Sequence, residues 1–182
     1  MTDRDRARWD AKYTASGPPA GDAIGPPEAF TGFADMFPTT GQALDLACGQ
    51  GLTAVWLARR GMAVWGLDVS AVAIDQARDL ARACGVDDRC RFEVVDLDHG
   101  LPPGPAVQVI VCNRFRDRRL DAAIIRRLAP GGLLAITALS EVGAAAPGPF
   151  RAAAGELTAA FGQLDVITAG EGGGAAWLLA RR

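Results

Sequence analysis

The stretch Ala-Leu-Asp-Leu-Ala-Cys-Gly-Gln-Gly, residues 43–51, decides the reading of this chain. It begins as a buried strand would, yet it carries Asp45 inside the apolar run and then breaks into Gly49-x-Gly51. Glycines let the backbone turn tightly and pass close to another group with no Cβ in the way. An acid held just before such a turn points to a ligand at the end of the strand.

Outward from that stretch, short apolar runs alternate with helical patterns. Strands are expected at 43–47, 62–67, 91–95, 107–112 and 132–138, each too short for a helix and rich in Val, Leu and Ile. Helices are expected at 53–60, ending at Gly61, at 70–84, with Ser70 as N-cap and Gly85 as stop, and at 118–129, stopped by Pro130. Strands that alternate with helices form a parallel sheet through right-handed crossovers. After one more helix, strands at 164–169 and 175–180 flank a glycine-rich turn at 170–174. Five residues cannot cross over a sheet, so this pair is an antiparallel hairpin. The expected fold is α/β: a Rossmann-like, doubly wound sheet of about seven strands with an antiparallel C-terminal hairpin strand.

The N-terminal part has a different character. Residues 4–13 suit a short amphipathic helix with Trp9 and Tyr13 on one face, and 16–30, with two proline pairs, suits an irregular loop leading to a helix near 28–36. The expected organisation is residues 1–41 as N-terminal helices with a Pro/Gly-rich lid, and 42–182 as a single globular ligand-binding unit.

Composition bounds the function. The chain has 182 residues, 49% hydrophobic and 22% charged, with net charge −2 and pI near 5.4, which suits one compact domain and argues against a nucleic-acid partner. Arginines at 114, 116, 118 and 119 read as a solvated helix start. Without a signal-peptide pattern or a membrane-length apolar window, a cytoplasmic location with no membrane partner is expected. Cysteines 48, 84, 90 and 112 lack Cys-x-x-Cys spacing, and His99 is the single histidine, so neither disulfides nor a metal site is expected. Cys84, Cys90 and Cys112 read as small buried hydrophobes.

Two further acids sharpen the ligand. Asp68, nineteen residues past Gly49, ends the second strand, where a carboxylate can accept both hydroxyls of a ribose. Asp96 ends the third strand on the same edge of the sheet. Acids that end three consecutive strands favour a nucleoside-type ligand, although Gly-x-Gly-x-x-Ala (49–54) also matches the dinucleotide fingerprint.

These motifs together resemble the class I S-adenosylmethionine-dependent methyltransferases: LDLACGQG (44–51), GLDVS (66–70), VVDLD (94–98), LAPGGLLAIT (128–137) and the final hairpin. Trp9-Asp-x-x-Tyr13 and Phe115-x-Asp-Arg118 are similar to the small bacterial type-11/12 and tellurite-resistance-like subgroup. One departure is Ala47 in place of the first loop glycine; another is the absence of the cap and substrate insertions of larger relatives.

The resemblance implies S-adenosyl-L-methionine as cofactor, with S-adenosyl-L-homocysteine as product. It implies that Asp45 and the backbone from Ala47 through Cys48 and Gly49 to Gly51 cradle the methionine part, and that Asp68 binds the ribose. Asp96 and the Leu97 amide hold the adenine, Val69 packs on its ring, Asn113 lies near the amine and sulfonium, and Tyr13 closes over the site. Tyr13, His99 and Asn113 are the catalytic candidates. The expected acceptor is a small molecule, and the protein a monomer or homodimer. The alternatives are an NAD-dependent oxidoreductase and a non-catalytic S-adenosylmethionine-binding protein.

Overall fold

The computed structural model describes residues 3–146 and 150–182, and the chain divides into two compact units, Met1–Gly100 and Leu101–Arg182. The first unit opens with α1 (Asp3–Ser16), three residues longer at its C-terminal end than the expected helix. The helix expected near 28–36 is a 3-10 helix, Glu28–Met36, pinned by the fully buried Phe30.

Three parallel strands follow, β1 (Gln42–Leu46), β2 (Ala63–Asp68) and β3 (Cys90–Val94), with β2 between the other two. Their crossovers carry α2 (Leu52–Arg59) and α3 (Ala71–Ala83). The buried face of α3 is Ala73, Ile74, Ala77, Leu80 and Ala81, the three-and-four spacing of an amphipathic helix. Each fully buried Leu or Ile of this core, such as Leu44, Leu67 and Ile74, contributes about 1.5–3 kcal/mol.

Ser70 caps α3 as its sequence position predicts: its Oγ accepts the Ala73 N–H at 3.1 Å. Ser70→Ala is expected to cost about 1 kcal/mol and to lower the melting temperature by roughly 2–4 °C, measurable by calorimetry.

In the second unit β4 (Val107–Cys112) pairs parallel with β5 (Leu128–Ser140), which also carries the short parallel β6 (Arg151–Ala152). The reversed strand β8 (Ala175–Arg181) runs antiparallel to β5 and pairs with β7 (Asp165–Gly172). The expected antiparallel hairpin is therefore present. Its turn is tighter than expected, because Gly172 pairs with Ala175, leaving only Gly173 and Gly174, at φ 59° and 79°. Positive φ at both positions is what a two-residue hairpin turn with the right twist requires. Central residues of β4, β5 and β8, including Ile110, Leu134 and Leu179, are completely buried, consistent with their near-continuous apolar sequences.

Most element ends lie within a residue or two of expectation, and the largest shift is at the start of β5. Strand β5 begins at Leu128, so α4 (Asp121–Arg127) stops two residues early. The register jumps from Val107↔Leu128 to Val109↔Leu133, and this bulge absorbs Pro130-Gly131-Gly132. A bulge is where a strand tolerates proline. The arginine run is also only partly solvated. Arg118 and Arg119 are exposed, but the Arg116 side chain is 4% exposed and ion-paired to Asp121 (2.5 Å) and to Glu156 (2.6 Å) in α5 (Glu156–Phe161). Those two acids neutralise a guanidinium that burial alone would destabilise.

Cys112 is buried as expected, whereas Cys84 and Cys90 are half-buried, and none of the four cysteines is in a disulfide. Among the described residues, no helix is long and apolar enough to cross a membrane.

Candidate functional site

In the first unit, the loop after β1 and the end of β2 are bonded to each other. Ala47 (φ 54°), Gly49 (φ 53°) and Gly51 (φ 78°) all adopt left-handed backbone, and Gly51 leads directly into α2. At Gly51 a Cβ would stand 2.8 Å from the Ala77 Cβ, so only glycine lets α3 pack this closely on the loop. At Gly49 a Cβ would stand 2.8 Å from the Tyr13 hydroxyl. The glycine loop therefore has Tyr13 as its immediate neighbour.

Asp68 accepts the Gly49 N–H on Oδ2 (2.8 Å) and the Ser70 N–H on Oδ1 (2.9 Å). Each carboxylate oxygen has two lone pairs, so one on each remains for a further donor. Burial raises its pKa, opposed by the N–H groups of Ser70, Gly49 and Val69. Asp45, 2% exposed, is more extreme, for its Oδ2 has no hydrogen-bond partner. Burial first, and then the charge of Asp68, push the Asp45 carboxyl up to about 8. Burial likewise raises the Tyr13 phenol and the Cys48 thiol, with Asp68 adding to both.

Helix α1 is fastened to this region by polar contacts. The Ser70 hydroxyl donates to Asp10 Oδ1 at 2.5 Å, and the Val72 N–H reaches the same oxygen at 3.4 Å. Gln76 Nε2 donates to the Tyr13 carbonyl, and Gln50 Nε2 to the Gly17 carbonyl and the Gln76 Oε1. Trp9 stacks on Tyr13, ring centroids 5.9 Å apart, with the Lys12 ammonium 4.3 Å above Trp9. Asp10, Gln50 and Gln76 were invisible as site residues in the sequence. Only the adjacency of Asp10 to Trp9 and Tyr13 hinted at one of them.

At the end of β3, Asp96 is half-buried and its Oδ1 accepts the Asp98 N–H, opening a 3-10 turn over Leu97–His99. Val69 and Leu97 are buried, at 4% and 5% exposure, and His99 is exposed. In the second unit, Asn113 is the exposed first residue beyond β4, and its Oδ1 accepts a hydrogen bond from Thr137.

A buried carboxylate oxygen without a partner calls for a positive group. Asp68, 19 residues past Gly49, keeps lone pairs for further donors and suits a diol. The residues of the first unit thus fit an adenosyl ligand with a cationic amino-acid tail. Such a set at the strand ends of an α/β fold suits a nucleoside-type ligand.

Comparison with known proteins narrows the class. Residues 43–132 match the family model described as Methyltransferase domain. Methyltransferase GfsG of Streptomyces halstedii is 38% identical over 101 residues, 51% of this chain and 36% of its own length. The ribosomal RNA small subunit methyltransferase C of Alcanivorax borkumensis is 34% identical over 112 residues, 56% of this chain and 33% of its own length. The chain thus spans about a third of the length of these curated relatives. A structure solved in work on the conversion of a disulfide bond into a thioacetal group during echinomycin biosynthesis is 26% identical. It superposes with a TM-score of 0.69, covering 97% of this chain and 92% of that one. Residues 43–132 are a methyltransferase domain, the fold is that of class I S-adenosylmethionine-dependent methyltransferases, and S-adenosylmethionine is the cofactor that such a domain implies. The Rossmann-like fold expected from the sequence is the fold of these relatives.

Proposed function

We propose that the protein transfers the methyl group of S-adenosylmethionine to a small-molecule acceptor by in-line displacement. The observation that carries this reading is the unpartnered, buried Asp45 oxygen beneath the glycine loop, next in space to the charge of Asp68. When bound, the cofactor supplies an electrophilic methyl group on a sulfonium. Asp45 and the backbone of Ala47, Cys48, Gly49 and Gly51 take the methionine part, with the Asp45 carboxylate facing its ammonium. Asp68 uses its two remaining lone pairs for the ribose hydroxyls, Asp96 and the Leu97 amide hold the adenine, and Val69 packs against its ring. Asn113 serves the reacting end.

Displacement from a sulfonium needs alignment and the exclusion of water more than a strong base. No base is required of the exposed His99. The net charge of −2 supports a small acceptor over the nucleic acid of the ribosomal RNA relative. Sulfur chemistry in the similar echinomycin protein supports a soft nucleophile.

The reading is tested by thermal shift with S-adenosylhomocysteine, S-adenosylmethionine, NAD and NADP, followed by an acceptor panel of thiols, phenols and amines. Stabilisation by the adenosyl-sulfur compounds alone is expected, since a ligand stabilises the state that binds it. Stabilisation by NAD alone would reverse the reading in favour of an oxidoreductase, and binding without turnover in favour of a non-catalytic protein.

Residues 1–41 act as a lid in this reading, with α1 closing over the sulfonium and Tyr13 as its inner surface. The Asp10 contact with Ser70 would be the latch, two residues from Asp68. Hydrogen exchange over residues 4–30 is expected to slow on adding S-adenosylhomocysteine, together with the glycine loop. Exchange in α1 that ignores the ligand would leave Trp9 and Tyr13 as packing residues only.

A further inference from the structure

Strand β5 contains one polar side chain within Leu133–Leu139, and it is Thr137, 8% exposed between the buried Ile136 and Ala138. Parallel pairing sets Cys112 beside Ile136, so the first residue past the end of β4, Asn113, comes level with Thr137. The Thr137 hydroxyl oxygen accepts the Arg114 N–H at 2.8 Å and donates its proton to Asn113 Oδ1 at 2.7 Å. Arg114 stands at φ 56°, a left-handed conformation that few arginines adopt, in which its N–H is bonded to Thr137.

The direction of these bonds follows from counting protons. A hydroxyl has one proton, and the Arg114 N–H can only donate, so the Thr137 proton is free for the Asn113 oxygen. The reverse amide orientation would ask the Thr137 oxygen to accept two N–H groups and would leave its own proton without this acceptor, inside an apolar strand. Asn113 is itself exposed. Its carbonyl is engaged with the strand, and its NH2 group is the part left to face outward. An exposed asparagine with only water to meet has no need of a fixed rotamer, and fixing one costs side-chain entropy.

We infer that Thr137 is a positioning residue. Its hydroxyl holds the Asn113 carboxamide with the oxygen inward and the NH2 outward at the carboxyl end of β4. This position therefore offers N–H donors to a ligand oxygen, a carboxylate or carbonyl, rather than an acceptor to a cation. The inference rests on the reading of the strand ends as the cofactor and acceptor site. It revises the role of Asn113 within that reading, because an outward NH2 repels an ammonium or sulfonium and suits an oxygen. Titration with S-adenosylhomocysteine and with acceptors tells which ligand carries that oxygen.

The test uses the full chain, 15N-labelled, with the Asn113 side-chain NH2 signals assigned by their loss in Asn113→Ala. Thr137→Val keeps the shape and removes the hydroxyl; Thr137→Ser keeps the hydroxyl. In the wild type and in Thr137→Ser the NH2 pair is expected to be well dispersed and to shift on titration with S-adenosylhomocysteine, alone or with an acceptor from the panel. A shift with S-adenosylhomocysteine alone assigns the oxygen to the cofactor tail, and a shift only with the acceptor present assigns it to the acceptor. In Thr137→Val the pair should collapse to solvent-like positions, and the affinity for whichever ligand moved it should weaken by about fivefold. Signals unmoved by Thr137→Val, or dispersed signals that respond to no ligand, would overturn the inference. A wild-type protein that binds no S-adenosylhomocysteine fails the proposed function instead, and the two failures are told apart by calorimetry on the wild type.

Discussion

Asp68→Ala is expected to weaken S-adenosylhomocysteine binding by about ten- to a hundredfold, or roughly 1.5–3 kcal/mol. Both Asp68 oxygens already accept a backbone N–H, from Gly49 and Ser70, so the carboxylate is held in one orientation before any ligand arrives. Two ribose hydroxyls would meet its remaining lone pairs in a nearly dry setting, where losing the acceptor leaves each hydroxyl unpaired. The same bonds give the substitution a second effect. It frees the Gly49 and Ser70 N–H groups, so the melting temperature should fall by a few degrees as well. Isothermal calorimetry separates the two when 5′-methylthioadenosine, which shares the ribose and lacks the amino-acid tail, is measured alongside. Both ligands should lose affinity by a similar factor. Wild-type affinity in the mutant would remove Asp68 from the ribose.

Cofactor affinity should also rise steeply with pH, through Asp45. Its carboxyl, buried and beside Asp68, is pushed from its ordinary 3.8 to about 8 in the ligand-free protein. Near neutral pH it is mostly protonated, and an arriving ammonium would favour the ionised form, so that binding releases a proton. Only about one molecule in a hundred is ionised at pH 6 and about half at pH 8, so the affinity for S-adenosylhomocysteine should tighten by up to about fiftyfold between them and level off above. Asp45→Asn should bind weakly with no such slope, and 5′-methylthioadenosine should show none in the wild type. A flat wild-type profile would place the ammonium elsewhere.

The stability of the ligand-free protein should move the other way. The folded state keeps a proton on Asp45 that the unfolded chain loses near pH 4, so this group's contribution is full below about 4 and declines as pH rises to about 8. Glu156 has the opposite sign. Burial alone would raise its pKa, but Arg118, the Ala153 N–H and Arg116 together hold it at about 2. Its contribution is present above the ordinary carboxylate range and is lost only as pH falls towards 2.

Much of this arrangement was legible in the residues themselves. Asp45, Gly49 and Gly51 announced a turn with an acid beside it. Ser70 declared the start of α3, and Gly173-Gly174 with its flanking strands declared the reversed hairpin. Each signal is local: a hydroxyl caps the N–H three residues on, and a positive φ selects glycine where the turn needs it. The alternation of apolar runs with helical patterns then made a parallel sheet the only economical assembly, and the class of fold followed. Asp45, Asp68 and Asp96 lie at or near the carboxyl ends of the parallel strands β1, β2 and β3, because strand direction alone puts them there.

Tertiary structure alone decided which side chains meet. Asp10 and Ser70 are 60 residues apart, Arg116 and Glu156 are 40, and Asn113 and Thr137 are 24. Arg116 looked like its solvated neighbours because nothing in its own segment shows that Glu156 arrives from α5 to bury with it. Thr137 looked like one more β-branched strand residue until the register of β4 on β5 set it level with Asn113. Strand β5 outran its apolar pattern because a bulge, stabilised by pairing with the far end of the chain, carries Pro130 into the sheet. Periodicity and turn chemistry depend on a few adjacent dihedrals and are written in short windows. Partner choice depends on register and crossover geometry, which exist only once the distant segments have packed.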